Sequence, residues 1–157
     1  MAKTFEDHFS ALQADMVSIA MEYADNRADH IYIYCSSERG NRSCDVFYVI
    51  NKKVLRKHKL NDAQHTDGCP PYDTDIDKQA QLLDIIDENN VNIQTLCKNH
   101  GKEPPTQIKI AYDVARNKLR ADIGYDEYYT NSLERSASTV LNEWFEEIQK
   151  QVESGNS

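Results

Sequence analysis

The sequence has no long apolar run, few glycines and no closely spaced cysteine pair, and each absence argues against a class of protein. The chain of 157 residues contains nothing near the about 18 consecutive apolar residues of a membrane-spanning helix. Its five glycines are scattered singly, so the glycine-rich loop that cradles phosphates in nucleotide-binding proteins is missing. Glu6 and Asp7 lie where a secretion signal would need an apolar core. We therefore expect a cytoplasmic protein.

The four cysteines, Cys35, Cys44, Cys69 and Cys97, lack the spacing of a redox or zinc motif. An even count would allow two disulfides, but without an export signal we expect buried, reduced thiols. Cys97 and His100 are one helical turn apart, yet a zinc site needs further ligands, which would have to come from an unpatterned loop. No glycine-framed elbow surrounds a nucleophile. The sequence predicts no metal, no other cofactor and no enzymatic activity.

Acidic residues outnumber basic ones, and the formal net charge is −8. The excess is uneven, since residues 1–70 carry 9 Lys and Arg against 10 Asp and Glu, whereas residues 71–157 carry 9 against 16. The acidic segment 71–157 repels phosphate groups and attracts basic proteins. The alternative interpretation is an acidic surface that serves solubility alone.

Hydrophobic periodicity predicts a first helix over about residues 5–23 and a second over about residues 76–99. Thr4 is the expected N-cap of the first helix. Because asparagine competes with the helix for backbone hydrogen bonds, Asn89 and Asn90 predict a bend or break in the second.

A third helix is predicted to begin at Asn131, because Glu134 three residues later completes a capping-box pattern. Its predicted apolar stripe consists of Leu133, Ala137, Leu141, Trp144, Ile148 and Val152.

Alternating apolar residues predict two β-hairpins, one over residues 31–50 with its turn at 38–42, and one over residues 107–125 with its turn at 114–117. Both phases of the first hairpin carry aromatic residues, so we expect each of its faces to be covered.

The order helix, hairpin, helix, hairpin, helix predicts an α+β fold with an antiparallel sheet. The length fits one domain over residues 1–157. Residues 1–4 and 153–157 are expected to fray.

One basic run, Lys52 to Lys59, allows a nucleic-acid-binding interpretation. Aromatics on a sheet beside a basic stripe stack bases in RNA-binding domains, and Tyr32, Tyr34 and Phe47 would supply them. The net charge of −8 argues against this interpretation. A charged edge strand, on which lysine blocks unwanted pairing, is the favoured alternative.

Carboxylates gather in two places, once on the second predicted helix and once after the last strand, where tyrosines accompany them. Tyrosine offers large contact area at low entropic cost, and carboxylates steer a basic partner towards its site. The alternative is a solvated acidic face. The candidate partner-binding residues are Asp84, Asp87, Glu88, Asp122, Tyr125, Asp126, Glu127, Tyr128 and Tyr129.

From about Leu12 to Trp144 the pattern resembles the YezG-like antitoxin family, immunity proteins that neutralise secreted or contact-delivered nuclease toxins. The resemblance rests on the leading helix, the aromatic first hairpin, the long middle helix and the step Glu103-Pro104 before the second hairpin. Its strongest element is the ending, which consists of Asp122-Ile123-Gly124-Tyr125-Asp126-Glu127, then Leu133-Glu134-Arg135 and Trp144.

The resemblance implies inhibition of a nuclease toxin domain by tight one-to-one binding inside the producing cell. The carboxylates named above would pair with lysine and arginine side chains of the toxin, while Tyr125, Tyr128 and Tyr129 would be desolvated anchors. Apart from the resemblance, we expect no cofactor, no membrane partner and no direct binding of nucleic acid, and a homo-oligomer stays open.

Overall fold

The computed structural model describes residues 4–63 and 69–154. The helices are α1 (Phe5–Tyr23), α2 (Ile76–Asn99) and α3 (Ala137–Glu153), and a short 3-10 helix covers Lys57–Asp62. The strands are β1 (His30–Glu38), β2 (Asn41–Ile50), β3 (Lys53–Arg56), β4 (Gln107–Asp113) and β5 (Lys118–Gly124). Of the residues that we expect to fray, 1–3 and 155–157 lie outside the described ranges.

The five strands form one antiparallel sheet in the order β3-β2-β1-β4-β5. Both predicted hairpins are present, and their central strands β1 and β4 pair along their length. This confirms the predicted α+β class. The basic run adds the short strand β3 and then turns into the 3-10 helix.

Both faces of the sheet are covered, as the aromatic pattern of the first hairpin predicted. Alternate residues of a strand point to opposite faces. Ile31 and Ile33 therefore pack in a core with α1 and α2, while Tyr34 packs with α3 on the other side. The structure has three layers, and the sheet is the middle one.

The first helix begins where the sequence predicts, because Thr4 and Asp7 form a reciprocal capping box. The predicted alternative of a break in the second helix is wrong, since α2 continues through Asn89 and Asn90. Asn89 Nδ2 donates to Asp15 Oδ2 at 2.8 Å, and Asn90 Nδ2 donates to the Ser36 carbonyl at 3.3 Å. Partners on α1 and β1 satisfy these amides, so they do not break the helix.

The third helix begins later than predicted. Ser136 is its N-cap and forms a capping box with Thr139, while Asn131 and Glu134 lie in the preceding loop. Leu133 is fully exposed, so its predicted place in the apolar stripe is wrong. Glu153 is the last helical residue, and its carboxylate accepts from the Val54 N–H at 2.8 Å.

Within the described ranges, every helix is too short or too polar to cross a membrane.

Buried phenol and thiol groups predict a loss of stability at alkaline pH. Burial raises the pKa of Tyr48 well above its usual value. Burial and the negative charge of Asp87 raise the pKa of Cys44 from 9.0 to about 12. A pKa raised by folding gives stability that is complete below the unfolded pKa and is lost as pH rises through the folded one. We therefore expect the midpoint of urea unfolding to be steady up to about pH 9 and to fall between about pH 9 and 12.

Tyr48→Phe is the matched variant for this experiment. It removes one titrating group and the hydrogen bond from the hydroxyl to the Ala20 carbonyl. We expect a lower midpoint at neutral pH but a shallower alkaline decline than in the original protein. A decline of unchanged slope would contradict the assignment.

Candidate partner-binding surface

Side chains at one β-turn contact both acidic clusters, which are about 40 residues apart in the sequence. The turn between β1 and β2 consists of Arg39 and Gly40, which both have positive φ. Arg39 pairs with Glu127 in the loop after β5, and Arg42 at the start of β2 pairs with Asp87 on α2. The clusters therefore meet at the same end of the sheet.

We call this surface the acidic rim. It consists of Arg39, Arg42, Asp84, Asp87, Glu88, Tyr125, Asp126 and Glu127.

The ion pairs of the rim have well-formed geometry. Arg39 Nε lies 2.6 Å from Glu127 Oε2, and Arg39 Nη2 donates to Glu127 Oε1 at 3.1 Å. Hydrogen bonds from Thr130 and Arg39 lower the pKa of Glu127. Arg42 donates to both oxygens of Asp87, at 3.1 and 3.3 Å. These pairs orient Glu127 and Asp87 while both side chains remain partly exposed.

The loop that carries Asp126 and Glu127 is anchored by a residue that the sequence analysis missed. Glu38 is only 1% exposed, and its carboxylate accepts hydrogen bonds from the N–H groups of Tyr128, Tyr129 and Thr130. The Thr130 hydroxyl lies 2.8 Å from Glu38 Oε1 and 2.6 Å from Glu127 Oε2, so its single proton is shared between the two carboxylates. The sequence signal that could have identified Glu38 is strand alternation, because Glu38 lies on the same face of β1 as Tyr32, Tyr34 and Ser36.

The three candidate tyrosines occupy different environments. Tyr125 is 50% exposed on the rim, whereas Tyr128 is half-buried. A Cβ on Gly124 would meet the Tyr128 hydroxyl, so a larger residue at this position would displace the Tyr128 ring. Tyr129 is 7% exposed, and its hydroxyl shares a hydrogen bond with Ser36 Oγ at 3.1 Å. Tyr129 is therefore buried by the protein itself and is not accessible as an anchor for a partner, in contrast to the prediction.

The remaining candidates divide into two groups. Asp84, Glu88 and Asp126 are exposed on the rim. Asp84 lines a cleft of about 370 Å³ together with Asp87 and the turn. Asp122 lies instead on β5, opposite Lys109 and 3.5 Å from Arg120. The structure thus unites both predicted clusters except for Asp122, Tyr128 and Tyr129.

Most of the residues that the alternative nucleic-acid interpretation requires are buried or contact other side chains of the protein. Tyr34 and Phe47 are buried beneath α3, so they cannot stack bases while α3 is in place. Lys57 pairs with Asp45 at 2.9 Å, and the Arg56 guanidinium lies over the Phe145 ring. Of the remaining lysines of the basic run, Lys53 lies on the edge strand β3, and Lys52 and Lys59 lie on either side of this strand.

Cysteine and histidine side chains do not form a metal centre in the part of the chain that the structure describes, where no group of three or more potential ligands occurs. Cys35 and Cys44 are cross-strand neighbours, and both are free thiols. Burial raises the pKa of each thiol, which disfavours the nucleophilic thiolate.

Comparison with known proteins finds neither a family model nor a curated protein that matches this chain.

Proposed function

We propose that this protein is an immunity protein that neutralises a cognate antibacterial nuclease toxin by one-to-one occlusion. The observation that carries the proposal is the convergence of two separate acidic clusters on the acidic rim. The sequence resemblance to YezG-like antitoxins supports the same class. The protein acts by binding, without a cofactor and without catalysis.

The charge of the acidic rim suits a nuclease partner. Five carboxylates lie there against two guanidinium groups. A nuclease must bind phosphates, so its substrate cleft presents lysine and arginine. Complementary charges accelerate association and fix the orientation of the two proteins. The rim would therefore compete with nucleic acid for the same basic residues of the toxin.

The shape of the rim supplies places for particular side chains. The cleft beside Asp84 and Asp87 has room for a lysine or arginine side chain of the partner. Tyr125, half of whose surface is exposed, lies next to Asp126. An aromatic anchor within a charged surface is typical of the few residues that contribute most to an interface. Arg39 and Arg42 hold their carboxylates in place before binding, which lowers the entropic cost of ordering them.

The test requires a nuclease domain encoded by a gene next to the gene for this protein, and it measures inhibition in a nuclease assay and binding by calorimetry. The rim variant carries Asp84→Lys, Glu88→Lys and Asp126→Lys, which reverse exposed charges without touching either ion pair of the rim. We expect a Kd at least about tenfold higher, equivalent to about 1.4 kcal/mol, and slower association at low salt.

The control variant carries three reversals away from the rim, Glu134→Lys, Glu146→Lys and Glu147→Lys, with the same change in net charge. All three control positions are exposed, one before α3 and two on it. We expect the control to bind within about twofold of the original protein, because general attraction falls off within a Debye length. Equal losses in both variants would reject the rim as the interface, and failure of the original protein to inhibit the nuclease would reject the function.

A further inference from the structure

The two edge strands of the sheet differ in length and in the hydrogen bonding of their outward-facing backbone groups. The edge strand β3 has four residues, and its outward N–H at Val54 donates to the Glu153 carboxylate from α3. The other edge strand, β5, has seven residues, and no strand in the described ranges pairs with its outer side. An edge of this length with free N–H and C=O groups is a template for another strand.

The backbone groups that face outward from β5 follow from the hydrogen bonds of β4. Two backbone hydrogen bonds, from Val114 N to Asp29 O and from Ser37 N to Thr106 O, lie just beyond the two ends of β4. They show that the even-numbered residues of β4 direct their N–H and C=O groups towards β1. Odd-numbered residues of β4 therefore bond β5, where their register partners are even-numbered. The outward groups belong to Leu119, Ala121 and Ile123.

We propose that β5 is a self-association surface, on which two copies of the chain pair β5 with β5 in antiparallel orientation around a two-fold axis at Ala121. This inference does not depend on the proposed function. Ala121 then pairs with Ala121 of the second copy, and Leu119 pairs with Ile123 on each side of the axis. These three outward residues form about six interchain hydrogen bonds, and the two sheets become one continuous sheet.

The side chains of β5 are complementary to themselves in this register. Arg120 of each copy lies opposite Asp122 of the other, at the non-hydrogen-bonded positions where facing side chains are closest. Both are well exposed, with side-chain exposures of 77% and 64%. Opposite charges at such positions stabilise a strand pair. On the other face, Leu119, which is 37% exposed, is covered by Ile123 of the second copy.

The same charges exclude the neighbouring registers. Interchain hydrogen bonds form only in registers that place the outward-facing residues of one copy (Leu119, Ala121 and Ile123) opposite outward-facing residues of the other. Moving the axis to Arg120 places this arginine opposite itself, and moving it to Asp122 places that aspartate opposite itself. Like charges directly opposite each other destabilise the pair. One register therefore has both its hydrogen bonds and its charges satisfied.

The test measures self-association of the full chain by sedimentation equilibrium from about 10 to 500 µM, because a small interface gives a dimer of micromolar or weaker affinity. The original protein should dimerise with increasing concentration. R120D should remain monomeric because the introduced carboxylate meets Asp122 of the second copy. D122R should remain monomeric because the introduced guanidinium meets Arg120. An equimolar mixture of R120D and D122R should dimerise, since every facing pair is again of opposite charge.

Hydrogen exchange of individual amides locates the interface. The Leu119, Ala121 and Ile123 amides should become protected as concentration rises, while the Arg120 and Asp122 amides should be protected at every concentration. An original protein that is monomeric throughout this range overturns the proposal. Dimerisation of R120D alone, or a monomeric mixture of the two variants, overturns it as well.

Discussion

Replacing Glu38 by alanine should destabilise the protein by about 3 kcal/mol, because the substitution leaves buried donors without an acceptor. The carboxylate accepts from the N–H groups of Tyr128, Tyr129 and Thr130, at 3.0, 3.4 and 3.2 Å. Water reaches this position poorly, since Glu38 is almost fully buried. For a chain of this length, about 3 kcal/mol corresponds to a decrease in Tm of about 6–12 °C.

Two further variants identify the cause of the loss. Glu38→Gln keeps the shape but places an amide donor beside N–H groups, so we expect a loss of about 2 kcal/mol. Glu143→Ala removes an exposed carboxylate that pairs with Arg135, and the cost should be below about 1 kcal/mol. Urea unfolding measures all three. Equal stability of Glu38→Ala and the original protein would contradict the anchoring role.

The anchor also links stability to the proposed interface. Tyr128, Tyr129 and Thr130 follow Asp126 and Glu127 directly, so Glu38 fixes the loop that carries three of the eight residues of the acidic rim. We expect Glu38→Ala to weaken toxin binding although Glu38 itself is buried and cannot contact a partner. The rim therefore depends on a carboxylate that lies beneath it.

Local sequence information was sufficient for the first two helices and both hairpins. The bounds of α1 and α2 agree with the prediction because their apolar residues recur with helical spacing. The turn of the first hairpin agrees because Gly40 and Arg39 adopt the left-handed conformation that a tight turn needs. In these segments the local preference and the tertiary structure favour the same conformation.

Tertiary contacts decided the segments in which the prediction failed. Asn131 with Glu134 and Ser136 with Thr139 are both acceptable capping pairs, and the sequence cannot rank them. In the structure the chain up to Thr130 is bound to Glu38 on β1, Arg135 Nε donates to the Tyr128 carbonyl, and the helix begins after the N-cap Ser136. The amides of Asn89 and Asn90 likewise find partners on other elements.

The acidic rim could be predicted only in part. The sequence identifies both acidic clusters, but their proximity depends on the strand order and on the packing of α2, which bring Glu127 next to Arg39 and Asp87 next to Arg42. The burial of Tyr129 also depends on distant residues, since its hydroxyl meets Ser36 across 93 positions of sequence. Long-range pairings of this kind leave no local pattern.

Replacing Trp144 by alanine should destabilise the protein by about 4 kcal/mol, because it removes the largest side chain between α3 and the sheet. The Trp144 ring packs edge-on against Phe47 and Tyr32, with centroids 5.1 and 5.7 Å apart, and Lys109 lies over its face. Burial of aromatic rings such as Trp144 and Phe145 contributes to the stabilisation that holds α3 on the sheet. Urea unfolding followed by circular dichroism measures the loss.

Leucine at two positions of the same predicted stripe provides the matched control. Leu141 is buried between α3 and the sheet, whereas Leu133 is fully exposed before the helix begins. Leu141→Ala should therefore cost about 2–3 kcal/mol, and the chemically identical Leu133→Ala less than about 0.5 kcal/mol. Since the two substitutions remove the same atoms, their difference reports burial alone. A helix that began at Asn131 would bury Leu133 as well, and the two losses would then be similar.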